Sequence, residues 1–324
     1  MNGSGRMRNN GLLLLTAFIW GVAFVAQSVG MDYIKPFTFN AVRCIIGGTV
    51  LLPCIAFLDY ISRRREQKNR PEQNLPAGEN SPIRREGKHG GKKLIIGGVV
   101  CGAVLAVASS LQQFGITQTT VGKAGFITAL YIVIVPLLGL FLKKRVTVLI
   151  GISVLLALLG LYLLSITESF SIGKGDLLLI GCALCFSVHI LLIDGFSPYV
   201  DGVRMSCIQF FTCGILCGIP MLIWERPQMG DILAAWLPVL YAGVFSCGVA
   251  YTLQIVAQKN VNPTVASLLL SLESVFSVLA GWVILGERLS LRELIGCALV
   301  FIAIILAQVP APKWGRRKET APQE

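Results

Sequence analysis

The chain is poor in charge. Only 14% of its 324 residues are Asp, Glu, Lys or Arg, about half the usual quarter of a soluble domain. A soluble enzyme of this length needs far more polar surface, and a disordered chain needs more still. Histidine is nearly missing: only His89 and His189 occur. There is no H-E-x-x-H, no paired Asp within an apolar run and no P-loop. These gaps argue against a zinc hydrolase, a carboxylate dyad and ATP-driven work by this chain alone. Cysteine is present, but all ten lie inside apolar runs, where thiols act as small hydrophobes. A secreted disulfide scaffold is excluded. Cys182 and Cys185 form a C-x-x-C without companion ligands, so no metal and no cofactor is expected.

What the chain does have is apolar length. Hydrophobic residues make up 54% and the mean hydropathy is +0.72. One bilayer crossing takes ~20 mostly apolar residues. Length and interruptions divide the chain into spans at about 11–30, 37–58, 94–112, 122–142, 146–166, 176–196, 204–223, 235–257, 264–286 and 291–309. The runs are continuous rather than alternating, which selects helices over a barrel. The reading is an all-α integral membrane protein of ten transmembrane helices. The first run follows Arg6 and Arg8 like a signal peptide, but no convincing small-x-small cleavage site follows it and many spans do. It is read as a retained first span.

The net charge is +11, and ten cations sit between Ile61 and Lys93. A basic tract can bind nucleic acid; here a loop held in the cytoplasm is the simpler reading, with anionic lipid as a secondary attraction. With the N-terminus inside, twenty-one Lys/Arg fall on cytoplasmic segments and six on outer ones. That bias places both termini in the cytoplasm. The loop 60–93 reads as a tether, and 310–324 as a cytoplasmic tail.

The two halves match at fixed offsets. At 166, Leu12, Leu13, Ala17 and Trp20 fall on Leu178, Leu179, Ala183 and Phe186, and Arg43 on Gln209. At 142, Leu111-Gln112 falls on Leu253-Gln254, Ala124 on Ala266, Leu130 on Leu272, Tyr131 on Glu273 and Gly139 on Gly281. At 145, Gly151 falls on Gly296. Each half, 1–166 and 167–309, would hold five spans. Five is odd, so the second copy enters the bilayer inverted, which is a plan of secondary transporters.

The order of several short features resembles the drug/metabolite transporter superfamily, specifically its ten-span EamA-type members. They are Trp20-Gly21 with Phe24, Pro36 followed by Arg43, Ala124-Gly125-Phe126 with Leu130, Gly286-Glu287-Arg288-Leu289, and Gly296. The resemblance implies a bacterial-type inner-membrane exporter or exchanger of amino acids, metabolites or drugs. One departure stands out. Members often carry Pro in the middle of span nine, where this chain has Ser274-Val275, which removes the obvious cause of a kink there.

Polar groups at bilayer depth are costly and mark function. Glu273, near the middle of span nine, is a candidate proton carrier or cation-binding carboxylate, or else a structural carboxyl bonded to another helix. Ala266, Ser277, Ala280 and Gly281 share its face, whereas Leu268, Leu272, Val275 and Leu279 suit lipid or packing. His189 can relay protons or line the cavity as a neutral group; a partnership with Glu273 is conceivable. Arg43, roughly 10 Å from the outer end of span two by helix rise, can grip a substrate carboxylate, snorkel outward or tie helices together. Gln112, Tyr131, Gln209, Tyr251 and Gln254 can bind substrate or join helices. Trp20 and Phe24 can stack on a ligand or simply pack. Glu287 reads as a helix-end partner of Arg288 or Arg292. Pro53, Pro136 and Pro220 are places where spans can bend.

The expected function is secondary transport of a small molecule by alternating access, with proton coupling through Glu273 as one form of it. An intramembrane enzyme lacks its catalytic set, and a channel lacks its polar ring or filter loop.

Overall fold

A computed structural model gives the architecture. It describes residues 3–68, 83–119, 121–142, 147–165, 173–259, 261–286 and 290–308. The middle of the basic loop (69–82), the C-terminal tail, the junction between the halves and Glu287-Arg288-Leu289 lie outside the described residues. The flanks of the loop, expected as tether, are helical, since helix runs on to Lys68 and begins again at Ile83.

The described residues are helical and contain no strand. In the first half come α1 (Gly3–Gly30), α2 (Pro36–Lys68), α3 (Ile83–Ile116), α4 (Val121–Thr128), α5 (Tyr131–Phe141) and α6 (Val148–Ser165). In the second come α7 (Lys174–Phe196), α8 (Gly202–Pro220), α9 (Met229–Ala234), α10 (Trp236–Leu240), α11 (Thr252–Gln258), α12 (Pro263–Leu270), α13 (Leu272–Leu285) and α14 (Leu291–Gln308). A π-helical turn, Met221–Glu225, continues α8, and a longer π-helical stretch, Tyr241–Tyr251, joins α10 to α11. Among the described residues eight helical stretches are long and apolar enough to cross a membrane; Val148–Leu163 and Leu294–Ala307 are apolar but shorter. Each overlaps one of the expected spans; the two shorter ones lie inside theirs, and the eight longer ones run past the expected bounds at one or both ends.

The distribution of polarity is inside out. Phe141, Val148 and Trp224 are largely exposed, while Asn40, Gln113, Gln209 and Gln258 are buried. In water such a surface would aggregate; in hydrocarbon it is the stable arrangement, because polar side chains then find partners only inside the bundle. The protein is a multi-pass membrane protein.

The packing is reciprocal between the halves. α6 packs on α14 and α2 on α8; α3 packs on α7 and α8, while α1 and α2 pack on the π-helical stretch. Gly160 lets α6 approach α14 closely: a methyl there would sit 2.7 Å from the Gly296 carbonyl oxygen. α2 and α8 run antiparallel. At one end Glu225 accepts hydrogen bonds from the Phe37 and Thr38 amides and the Thr38 hydroxyl, at 2.9, 2.6 and 2.7 Å. Midway the Cys44 and Cys213 sulfurs are 3.4 Å apart. At the other end Arg204 Nη2 donates to both Asp59 oxygens, at 2.7 and 2.8 Å. At the offset of 166, Thr38 corresponds to Arg204 and Asp59 to Glu225. Each carboxylate therefore reaches the first turn of the partner helix, where a helix dipole favours negative charge.

Two spans are interrupted at corresponding points. α4 stops at Thr128 and α5 begins at Tyr131; α12 stops at Leu270 and α13 begins at Leu272. No proline sits at either break. In the second, the Ser267, Ser271 and Ser277 hydroxyls donate to the carbonyls of Thr264, Leu268 and Ser274, at 2.9, 2.8 and 2.9 Å. Such back-bonding competes with the helical ladder and bends it. The Ser274 hydroxyl leaves its own helix and donates to the Gly125 carbonyl, at 2.8 Å. The span is thus interrupted without a proline, and the Ser267 and Ser271 back-bonds lie at the interruption. Of the two readings for Leu268, Leu272 and Val275, lipid or packing, the structure gives packing: all three are buried in the core.

Candidate functional site

A narrow cavity lies where the two interrupted spans meet α1, α2, α3, α7 and the π-helical stretch. Trp20, Phe24, Arg43, Gln112, Tyr131, His189, Tyr251, Gln254 and Glu273 line it. Gln209 stands one layer back, with its Oε1 3.2 Å from His189 Nε2. Sequence reasoning missed Gln27, Thr128 and Ser246, which also line the cavity. Gln27 was legible, since Trp20, Phe24 and Gln27 fall at i, i+4 and i+7 on one helical face. Ser246 was not, because it sits in the π-helical stretch, whose period differs from 3.6.

α1 forms one wall. Gly21 permits this, because a methyl there would lie 2.8 Å from the Glu273 carbonyl oxygen. Trp20 Nε1 donates to the Ser246 carbonyl at 3.4 Å, and its ring centroid is 4.5 Å from that of Tyr251. Thr16 donates to the Ala250 carbonyl at 3.2 Å. The π-helical stretch thus offers carbonyls to α1 side chains. Tyr251 also meets His189 and Phe210 edge-on, with centroids 6.0 and 5.6 Å apart. This aromatic cluster gives one side of the cavity a flat, stiff wall.

Tyr131 and Glu273 each stand just past a helix break, at corresponding places in the two halves. Tyr131 Oη donates to Glu273 Oε1 at 2.9 Å, and both residues are buried. His189 is bonded to Gln209, not to Glu273. Arg43 is 4% exposed, which excludes snorkelling. Its Nη1 donates to Gln27 Oε1 at 3.0 Å, and its Cζ lies 5.5 Å from the centre of the Phe39 ring. Gln113 Nε2 in turn donates to the Gln27 carbonyl at 3.1 Å. On another side Gln254 Nε2 donates to Gln258 Oε1 at 3.3 Å, and Gln258 Nε2 to the Ile190 carbonyl at 2.6 Å. The buried atoms Arg43 Nε, Gln209 Nε2 and Gln254 Oε1 have no hydrogen-bond partner.

The space itself is small. The centre of a water molecule can occupy about 30 Å³ of it, which is room for a water or two. A metabolite enters only if the walls part. No three His, Cys, Asp or Glu converge on a metal-sized site among the described residues, and Cys182 and Cys185 are both free thiols.

Comparison with known proteins fits this geometry. An uncharacterized transporter of Archaeoglobus fulgidus is 28% identical, over 92% of this chain and 84% of its own length. The WAT1-related protein At3g02690, chloroplastic, of Arabidopsis thaliana is 24% identical, over 95% of this chain and 71% of its own. The uncharacterized transporter YwfM of Bacillus subtilis is 25% identical, over 95% and 96%. A solved crystal structure shares the fold with a TM-score of 0.69 at 18% identity, covering 92% of this chain and 96% of that one. The profile of the EamA-like transporter family matches twice, at residues 10–166 and 173–308. The chain belongs to the EamA-like transporter family, whose members are transporters rather than enzymes.

Proposed function

We propose that the chain is a ten-span secondary transporter built from two inverted five-helix repeats, residues 1–166 and 167–309, which exports or exchanges small metabolites by alternating access. Amino acids and drug-like compounds are the first candidates. The membrane is a bacterial-type inner membrane, as the family resemblance implies, with both termini cytoplasmic, an orientation that the bias of positive charge supports.

One observation carries the reading. Tyr131 and Glu273 occupy corresponding positions in the halves, each follows a helix break, and they bond to each other in the cavity wall. Transporter sites form where discontinuous helices of two repeats meet. The antiparallel run of α2 against its counterpart α8 supports inversion, since a parallel duplication would leave corresponding helices pointing the same way.

In this reading the halves rock about the cavity. Trp20, Phe24, Tyr251 and His189 contact the substrate's flat or apolar parts, while Arg43, Gln112, Tyr131, Gln209 and Gln254 meet or order its polar ones. Glu273 couples the motion to protons: the neutral carboxyl keeps its bond to Tyr131 at little cost, while the carboxylate calls for a cation or water in the cavity. The test is flux of radiolabelled metabolites into proteoliposomes under an imposed pH gradient. Gradient-dependent flux in the wild type, lost in Glu273→Gln while gradient-free exchange persists, is the result expected. Flux through Glu273→Gln that still follows the gradient removes the carboxyl from coupling.

A further inference from the structure

Arg43 holds a charge that nothing in the cavity answers. A guanidinium stays protonated in proteins, and an uncompensated buried charge is among the costliest arrangements a fold contains. Among the described residues Arg43 forms no ion pair. Its one hydrogen bond goes to the neutral amide of Gln27, at 3.0 Å. Its remaining support is the face of Phe39. Its Nε is buried and has no acceptor. The carboxyl of Glu273, in the same cavity, is engaged by Tyr131 instead. A buried cation with a vacant donor, in the wall of a cavity, lacks an anion.

Gln27 explains how the guanidinium is kept ready. Its side-chain oxygen occupies Nη1, and its own backbone carbonyl is pinned by Gln113 Nε2 at 3.1 Å. An amide fixes the guanidinium plane without neutralising it. A glutamate at this place would do both. The same cavity is walled by Trp20, Phe24, Phe186 and Tyr251, which suit an apolar or aromatic body rather than a hydrated ion.

Resting on the transporter reading above, we propose that the Arg43 end of the cavity is a subsite for a small organic carboxylate, with Gln27 as the positioning residue that orients the guanidinium and leaves its charge to the ligand. The carboxylate completes the charge in the two-pronged geometry that guanidinium favours. The aromatic wall takes the rest of the molecule.

The test uses the purified full-length protein, with thermal shift as the readout, because a ligand that binds only the folded state raises its melting temperature. Benzoate is the probe, with benzamide and chloride as controls. Benzoate should give a saturable shift, while benzamide and chloride should give none. Gln27→Ala should weaken benzoate by roughly five- to ten-fold, the factor for one ordering hydrogen bond. Gln27→Glu should raise the melting temperature of the ligand-free protein and abolish the benzoate shift, since the protein then carries its own counter-ion. A residue that only packed would show no such exchange of ligand response for intrinsic stability. Arg43→Gln should lose the shift; should that variant not fold, Arg43→Lys should keep a weakened one. A benzoate shift that survives Gln27→Glu, or one matched by chloride or benzamide, overturns the subsite. So does a wild type that ignores benzoate. Flux of other solutes by that same protein would show that the transporter reading stands without it.

Discussion

At the residue scale the cavity and the layer behind it are a set of polar groups, some paired, of which several stay half-served. Tyr131 and Glu273 serve each other, and His189 and Gln209 do likewise. Arg43, Thr128, Gln254 and Gln209 itself each keep a buried atom without a partner. Unmet hydrogen-bonding capacity at bilayer depth costs several kcal/mol per group, a cost that a ligand in the cavity would relieve. Removing the phenol by Tyr131→Phe leaves the Glu273 carboxyl without its donor. The expected outcome is loss of about 1–3 kcal/mol of stability, read as a lower melting temperature in detergent, together with weaker gradient-driven flux. Unchanged stability would mean that the hydrogen bond is not made in the membrane. Most of these residues were legible in the sequence, because an ionisable or amide side chain in an apolar run is conspicuous. Their partners were not. His189 turned to Gln209, and only the fold decides which of several deep polar groups face one another.

At the element scale the two halves use equivalent positions in different ways. Glu225 and Asp59 correspond, and each closes one end of the α2–α8 pair. Glu225 bonds two backbone amides and a hydroxyl in a partly buried place. Asp59 meets Arg204 with both side chains more than 40% exposed. Exposed ion pairs contribute roughly 0–1 kcal/mol, whereas hydrogen bonds to a charged acceptor contribute about 1.5–3 kcal/mol each. Glu225→Ala should therefore lower the melting temperature clearly, and Asp59→Ala hardly at all; equal losses would contradict the assignment. The π-helical turn at Met221–Glu225 brings Glu225 to α2, and Arg226 ends it in the left-handed region at φ 47°. No sequence period announces such a turn. The breaks at 129–130 and 271 were hidden for a related reason: neither carries a proline, and the serine back-bonds at the second also occur in unbroken spans, as at Ser109 and Ser187. Ser271→Ala removes one of these bonds and should straighten the junction. The expected reading is reduced flux without loss of folded protein, and full activity would show that the break does not depend on Ser271.

At the scale of the whole molecule, hydropathy alone located the helical stretches, because the lipid requirement for continuous apolar length leaves few other parsings. The duplication was visible only as scattered pairs such as Gln112 with Gln254. Packing of α3 on α7 and of α1 on the π-helical stretch is the pattern such a duplication would give. A cavity of about 30 Å³ is too tight for a metabolite, so transport by this molecule requires a state in which the walls have moved. Solute counterflow addresses that directly. Proteoliposomes are loaded with unlabelled solute at equal concentration inside and out, and a trace of label is added outside. A single cavity open alternately to each side predicts a transient overshoot of internal label above equilibrium. A smooth approach to equilibrium with no overshoot, for a solute that the protein does carry, would contradict it.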